Sequence, residues 1–347
     1  MTKYIIQRIL LALVSLFIIL SLTFILMKCL PIEIPQGTTP ETKLTFLVSQ
    51  ASRGYLIQST TPLTGVGTLV SSVTLTGSTT TYYFYSEPIL KQYIAWLGDI
   101  FTRWEWGTSY SVQPNVDAMV IIMKGLPTTI KVNVVSVIIS VPLGILLGIL
   151  AALKKNKPTD VAISTIVMIL ISVPSFVLIT FLIMIFGYNL KVLPTEWPKS
   201  YYDLGTKALG YIIPVIALSL GSICGYCRFT RAELCDVLSS DYLLLARTKG
   251  LTKRQAVMRH AMRNAMVPIL PSILSEIVGI LGGSMILERL YNIPGIGGVF
   301  YSALSAKDYN LLMVDMAVFT MIGLLAGIVL DLSYGFLDPR IRIGAKK

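Results

Sequence analysis

Long apolar runs alternate with polar stretches along this chain, and about 20 apolar residues in a helix cross the hydrocarbon core of a bilayer. Six segments reach that length, at 9–30, 130–153, 161–187, 208–227, 266–288 and 312–335. The pattern predicts an all-α polytopic membrane protein with six transmembrane helices. Pro142 and Pro174 fall inside the second and third spans, where each removes a backbone hydrogen bond and is expected to bend the helix. Gly144 with Gly148, Gly279 with Gly283, and Gly323 with Gly327 each stand four apart, a spacing that lets membrane helices approach closely. Three such pairs argue for a compact bundle.

Two polar stretches interrupt the pattern. Residues 36–86 are rich in Thr, Ser and Gly, with Leu63, Val66, Leu69, Val70, Val73 and Leu75 scattered among them. They read either as short β-strands joined by turns or as a flexible loop, and in both cases as a small insertion after the first helix. The second stretch, Asp241 to Pro268, is basic and amphipathic. Gly250 interrupts its helical pattern, which predicts two short helices meeting at a bend. Arg247, Lys249, Lys253, Arg254, Arg259 and Arg263 are interleaved there with Leu243, Leu245, Leu251, Val257, Met258 and Met262. Such a segment offers a partner an apolar ridge with charged flanks; its plainer reading is a basic loop lying on anionic membrane lipid.

Composition excludes an ordinary soluble domain, with 54% hydrophobic residues, 14% charged and a mean hydropathy of +0.72. The net charge of +11 is explained by topology rather than by nucleic acid, because the cations flank apolar runs and no aromatic-interleaved basic patch accompanies them. Lys3 and Arg8, the cluster Lys154, Lys155 and Lys157, the eight cations from Arg228 to Arg263, and Arg340, Arg342, Lys346 and Lys347 all fall on one face. By the positive-inside rule that face is the cytoplasm, so both termini are expected there in a multi-pass protein of the cell membrane. The opposite face receives 31–125, 188–207 and 289–311. The first run is longer than a signal-peptide core and lacks a small-x-small cleavage site, so it is expected to be retained. Four regions follow: 1–30, tail and first helix; 31–125, extracytoplasmic; 126–335, a five-helix core holding the 241–263 segment; and 336–347, a cytoplasmic tail.

Candidate chemistry is sparse. Glu276 lies within the fifth span, where an ionisable residue marks either a translocation pathway or a hydrogen bond to a neighbouring helix. Asn133 and Asp331 lie nearer the ends of theirs. The single histidine, His260, excludes a two-histidine metal site, and no G-x-x-x-x-G-K-[ST] phosphate loop occurs, so the chain is not expected to hydrolyse ATP. Cys224 and Cys227 have C-x-x-C spacing and Cys235 follows, yet the first pair ends a span, where burial is the simpler account. Cys29 has no partner on its face, so no disulfide framework is implied. Tyr291-Asn292-Ile293-Pro294-Gly295-Ile296-Gly297 is turn-rich and is expected to form either an ordinary loop or a re-entrant or short-helical element.

Four blocks, DYLLLARTKGL, RHAMRNAMVP, ERLYNIPGIGGVFYSALSAKDY and DLSYGFLDPRIR, together with QYIAWLGDIF and LPTTIKVN, resemble the binding-protein-dependent permeases of ABC transporters. Within these the chain is most similar to the dipeptide and oligopeptide subfamily, to the subunit type that begins with a basic residue and a span. The resemblance covers 1–31 and 87–343; Pro31-Ile32-Glu33-Ile34-Pro35, in place of an acidic Gly-Asp-Pro, and the 36–86 stretch depart from it.

The resemblance implies the permease subunit of an ATP-driven importer, with no catalytic residue and no cofactor of its own, ATP and Mg being held by partner subunits. The implied partners are two ABC ATPases, a second similar permease and an extracytoplasmic substrate-binding protein, with no nucleic acid. It assigns ATPase coupling to Asp241, Ala246, Arg247, Lys249, Gly250, Leu251, His260, Asn264 and Pro268. Glu276 and Asn133 are candidates for the pathway, and Tyr291, Pro294, Gly295 and Gly297 for the outer gate or binding-protein docking. Peptides are the expected cargo; nickel chelates, glutathione and oligosaccharides are carried by the same machinery. A rival class, the ion-driven secondary carrier, predicts inverted repeats and paired intramembrane carboxylates, of which this chain has one convincing member.

Overall fold

The computed structural model describes residues 2–30, 34, 39–76, 79–199 and 201–337. Pro31 to Pro35 apart from Ile34, the tail cations Arg340, Arg342, Lys346 and Lys347, and the side chain of Lys3 lie outside the described residues. Among the described residues, four helices are long and apolar enough to cross a membrane, within Ile5–Cys29, Ala118–Leu153, Leu204–Leu238 and Tyr309–Ser333. Two bent pairs, Pro158–Ile171 with Ser175–Asn189 and Lys253–Met266 with Ile269–Gly282, bring the number of spans to as many as six. The chain divides into two compact units, one of Ile6–Lys124 and Val299–Met321, the other of Met1–Ile5, Gly125–Gly298 and Ile322–Lys347.

The first unit begins with α1 (Thr2–Cys29). Leu10, Leu13, Leu22 and Leu26 stand exposed on it, as lipid-facing side chains do. Toward its end Phe24 is fully buried, with ring centroids 5.5 Å from Tyr93 and 4.8 Å from Trp96 on α3 (Ile89–Arg103). Between them lies the insertion: α2 (Pro40–Ser52) and strands β1 (Leu56–Ser59), β2 (Leu69–Thr74) and β3 (Thr81–Ser86). The strands form an antiparallel sheet in the order β1-β3-β2. Leu47 of α2 joins Leu56, Val73 and Phe84 in its core.

Of the apolar residues in 36–86 that the sequence offered as strand material, Leu69, Val70 and Val73 lie in β2. The sheet bears out the strand-and-turn reading, and the helix α2 adds to it. Pro40 supplies a preset φ at the first helical turn, the Thr39 hydroxyl accepts from Thr42 N at 3.4 Å, and Leu44, Leu47 and Ala51 recur at helical spacing against the sheet.

In the same unit Asp308 is fully buried and serves as a knot. Its Oδ2 accepts from Ser109 Oγ at 2.6 Å and from the backbone N–H groups of Tyr110, Ser111 and Val112 at 3.0, 2.9 and 3.1 Å. Its Oδ1 accepts from Leu311 N at 3.3 Å, which caps α15 (Tyr309–Leu337).

In the second unit, α4 (Ala118–Leu153) packs on α8 (Ile212–Leu238). A Cβ on Gly144 would strike Tyr226 and the Ile223 carbonyl, and one on Gly148 would strike Thr230 and the Cys227 carbonyl, so this glycine pair closes a helix contact. Gly323 and Gly327 meet no atom within 4 Å, so that pair makes no such contact in this chain; Gly279 also meets none, whereas a Cβ on Gly283 would press on Glu288 and on Thr129 of α4. Helix α5 (Pro158–Ile171) is tied to α8 by Asp160 and Arg231, whose Nε and Nη2 donate to the two carboxylate oxygens at 2.6 and 2.8 Å.

The chain turns by 96° between α5 and α6 (Ser175–Leu182), at Pro174 as expected, and α6 continues as a π-helical turn, Ile183–Asn189. Pro142, by contrast, sits inside the continuous α4. Helix α4 starts at Ala118, not near residue 130, because its first turns carry Lys124 and Pro127, which lower local hydropathy without stopping the helix. Helix α8, preceded by α7 (Leu204–Gly210), extends past residue 227 to Leu238, because Thr230, Leu234 and Cys235 keep a buried stripe beneath its charged residues.

The fifth predicted span, 266–288, is not one helix. Helix α12 (Ile269–Gly279) runs into a 3₁₀ turn, Ile280–Gly282, and Gly283 at φ +59° with extended Ser284 ends it before α13 (Met285–Leu290). The segment read as the 289–311 loop then contains α14 (Ile296–Ser305).

Candidate coupling and translocation site

The basic segment folds as its pattern predicts, in short helices: α9 (Asp241–Thr248), α10 (Lys253–Ala256), a π-helical turn Val257–Ala261, and α11 (Met262–Met266). Gly250 has φ +91° at the bend, a left-handed conformation that a side chain disfavours. Immediately after it, Thr252 and Gln255 form a capping box, with Gln255 N donating to Thr252 Oγ1 at 3.3 Å and Thr252 N to Gln255 Oε1 at 3.0 Å. Asp241 stands in the first turn of α9, where a carboxylate complements the helix dipole. Pro268 lies between α11 and α12, where the chain bends by 52°.

Leu243, Ala256, Val257, Ala261 and Ala265 are buried against Ala152 of α4 and Leu234 and Cys235 of α8, with Ala246, Leu251 and Met262 packed beside them. Short helices survive through such packing. This corrects the apolar ridge read from the sequence. Leu243, Leu251, Val257 and Met262 fasten the segment to its own spans, and the apolar surface left for a partner is Leu244, Leu245 and Met258, 61, 55 and 64% exposed. Arg247, Lys249, Gly250, His260 and Asn264 are also exposed, so the segment is a fixed platform with a mixed apolar and cationic top.

Within the spans, polar side chains from α4, α8 and α12 come together. Ser140 Oγ donates to Glu276 Oε1 at 3.5 Å, and the Tyr226 phenol also bonds to that carboxylate. Ser136 and Ser219 hydroxyls lie 3.0 Å apart, and Asn133 Nδ2 donates to the Ile280 carbonyl at 2.6 Å. Asn133 therefore satisfies a carbonyl where α12 breaks, while Glu276 is half-buried beside two hydroxyl-bearing neighbours, Ser140 and Tyr226.

The Tyr291–Gly297 element has a designed interior. Glu288, 4% exposed, accepts from Thr129 Oγ1 at 2.9 Å and from Gly298 N at 2.9 Å. Thr129 Oγ1 in turn accepts from Ile296 N at 3.0 Å, so two side chains satisfy the N-terminus of α14. A Cβ at Gly295 would collide with both side chains, and one at Gly297 with the Met285 backbone, which is why glycines stand there. Burial raises the Glu288 carboxyl above its ordinary value against the opposing pull of these donors. Tyr291 is fully buried and donates its hydroxyl to the Pro194 carbonyl at 2.9 Å, while its own carbonyl accepts from Trp197 N at 2.7 Å. Pro294 lines an open depression with Trp197 and Tyr211.

Glu288 and Thr129 were absent from the residues singled out by sequence. Three glycines within four positions, 295, 297 and 298, were the available signal that something bulky approaches the backbone there. Cys224, Cys227 and Cys235 are buried free thiols, and among the described residues no group of His, Cys, Asp and Glu is placed to hold a metal ion.

A bundle of apolar helices with a fixed polar platform and a polar cluster between its spans defines a membrane permease. The chain belongs to the family of binding-protein-dependent transport system inner membrane components, whose family model matches residues 144–343. It is 31% identical over 347 residues to the dipeptide transport system permease protein DppB of Lactococcus lactis subsp. cremoris (strain MG1363), covering 99% of this chain and 100% of that protein. It is 32% identical over 266 residues to DppB of Bacillus subtilis (strain 168), covering 76% and 83%. The oligopeptide transport system permease protein OppB of Escherichia coli (strain K12) is 29% identical over 343 residues, covering 99% and 100%. A solved structure of the MetNI methionine ABC transporter in inward-facing conformations shares the fold, with a TM-score of 0.50 and 15% identity over 63% of this chain and 97% of that one.

Proposed function

We propose that this chain is the permease subunit of an ATP-driven importer of di- or oligopeptides, with its termini in the cytoplasm and its energy supplied by separate ATPase subunits. The single observation that carries the reading is the platform of residues 241–263, fastened by a buried face to α4 and α8 and presenting Leu244, Leu245 and Met258 among exposed cations. An apolar ridge of this kind gives affinity for a groove on an ATPase, and the flanking charges set its register. Because the platform's underside is continuous with the ends of two spans, a rigid-body displacement imposed on it passes to α4 and α8. Alternating access follows from that movement, with no covalent step on the cargo. Two ATPases, a second permease and an extracytoplasmic binding protein complete the assembly, the binding protein meeting the 188–207 and 289–311 segments.

Glu276 and its hydroxyl neighbours are assigned to the pathway, and the Glu288-locked element from Tyr291 to Gly297 to the outer gate. Dipeptide and oligopeptide permeases among the relatives support the cargo class. The test is ATP-dependent uptake of a labelled dipeptide by proteoliposomes holding the complex that co-purifies with this chain. Uptake by this chain alone, driven by an ion gradient, would overturn the reading.

A further inference from the structure

A cavity of about 740 Å³ opens in the unit that carries the insertion, walled by the end of α1, by β2, by the start of α3 and by Tyr309 to Met313. That volume lies in the range of small-molecule sites. Gln92, 5% exposed, lines it, and its Nε2 donates to the Glu87 carbonyl at 2.8 Å. A carbonyl only accepts, so the amide nitrogen must face it, and Gln92 Oε1 is left with no hydrogen-bond partner. Glu87 Oε2, on the same wall, also lacks a hydrogen bond, its ion contact with the largely exposed Lys91 being 3.5 Å long. A buried acceptor without a donor is destabilising, and a donor entering the cavity relieves it.

The cavity also has an opposite charge. Lys28 lines it, with Nζ 3.6 Å from the Tyr55 ring centroid and 5.7 Å from that of Phe24, and no carboxylate among the described residues pairs with it. An unpartnered amide oxygen and a carboxylate held only by a long contact to Lys91 on one wall, with a cation unmatched by a carboxylate on the α1 wall, fit a ligand that carries both an ammonium and a carboxylate. A lipid chain offers neither. We propose that this cavity binds a short peptide zwitterion, its α-ammonium toward Glu87 and Gln92 and its carboxylate toward Lys28, so that the permease itself holds cargo beside the insertion. The proposal rests on the peptide-import reading and adds a site to it.

The test uses the full chain in lipid nanodiscs, with no binding protein present, titrated calorimetrically with glycylglycine, N-acetylglycylglycine and glycylglycinamide. Saturable binding of glycylglycine is expected, weakened at least tenfold by blocking either end. Gln92→Leu should weaken glycylglycine at least tenfold while leaving N-acetylglycylglycine unchanged, and Lys28→Met should do the same for glycylglycine against glycylglycinamide. Should a variant fail to fold, the blocked-end ligands on the unaltered chain still decide. Equal binding of the acetylated peptide, or no saturable binding, overturns the site and leaves water as the occupant. If the assembled transporter imports peptides while the nanodisc chain binds none, only this inference falls; if the assembly imports no peptide, the functional reading falls with it.

Discussion

Glu288 shows how one side chain can hold a backbone element while being held against its own preference. Burial favours its neutral form, while the Thr129 hydroxyl and the Gly298 N–H favour the carboxylate, and burial prevails, raising the carboxyl above 4.5. A folded state that binds the proton more tightly than the unfolded chain is stabilised below 4.5 and loses that contribution as pH climbs through the raised value. The melting temperature of the unaltered chain should therefore fall as pH rises above 4.5, and Glu288→Gln, which cannot ionise, should flatten that slope. Parallel slopes would show that this carboxyl does not titrate as burial requires. Gly250 makes a different residue-scale prediction. With φ +91° and no atom within 4 Å of a would-be Cβ, Gly250→Val is penalised by backbone strain alone, about 1–2 kcal/mol. Straightening the bend should sharply reduce transport-coupled ATP hydrolysis while membrane insertion persists. Normal coupled turnover in that variant would remove the bend from the mechanism.

At the scale of elements, the glycine pairs separate by what faces them. Gly144→Leu and Gly148→Leu must push α4 away from Tyr226 and Thr230 of α8, a strain of about 1–3 kcal/mol that should lower the melting temperature of the isolated chain in detergent. Gly323→Leu and Gly327→Leu face open space in this chain and should leave that temperature unchanged. Equal effects from both pairs would refute the packing described. Hydropathy made the spans legible because a run such as Ile5–Cys29 has no other stable fate, and Gly250 made the bend legible because few residues suit it. The break at Gly283 was not legible, since averaging over a window hides one positive φ amid apolar residues. Nor was the pairing of Glu288 with Thr129, 159 positions away, or the helix α2, whose apolar spacing is diluted by threonines. Much of the fold of residues 241–268 was readable and little of the Tyr291–Gly297 element was, because the first is local in sequence and the second is not.

For the whole molecule, the platform can meet an ATPase only if residues 241–263 face the cytosol, and the chain carries its own reporter of that orientation. Cys29, at the end of α1, is exposed, whereas Cys224, Cys227 and Cys235 are buried. One crossing separates Cys29 from the N-terminus, so with that terminus in the cytosol the thiol lies outside, and six crossings, counting each bent pair as one span, return the C-terminus to the cytosol. A membrane-impermeant maleimide added to intact cells should therefore label the unaltered chain at Cys29, and Cys29→Ser should abolish that signal with the three buried thiols still present. Labelling that appears only after the membrane is opened would place Cys29 inside. With the bent pair α5–α6 counted as one span, three crossings separate the platform from Cys29, and the platform would then face outward, where no cytosolic ATPase reaches it.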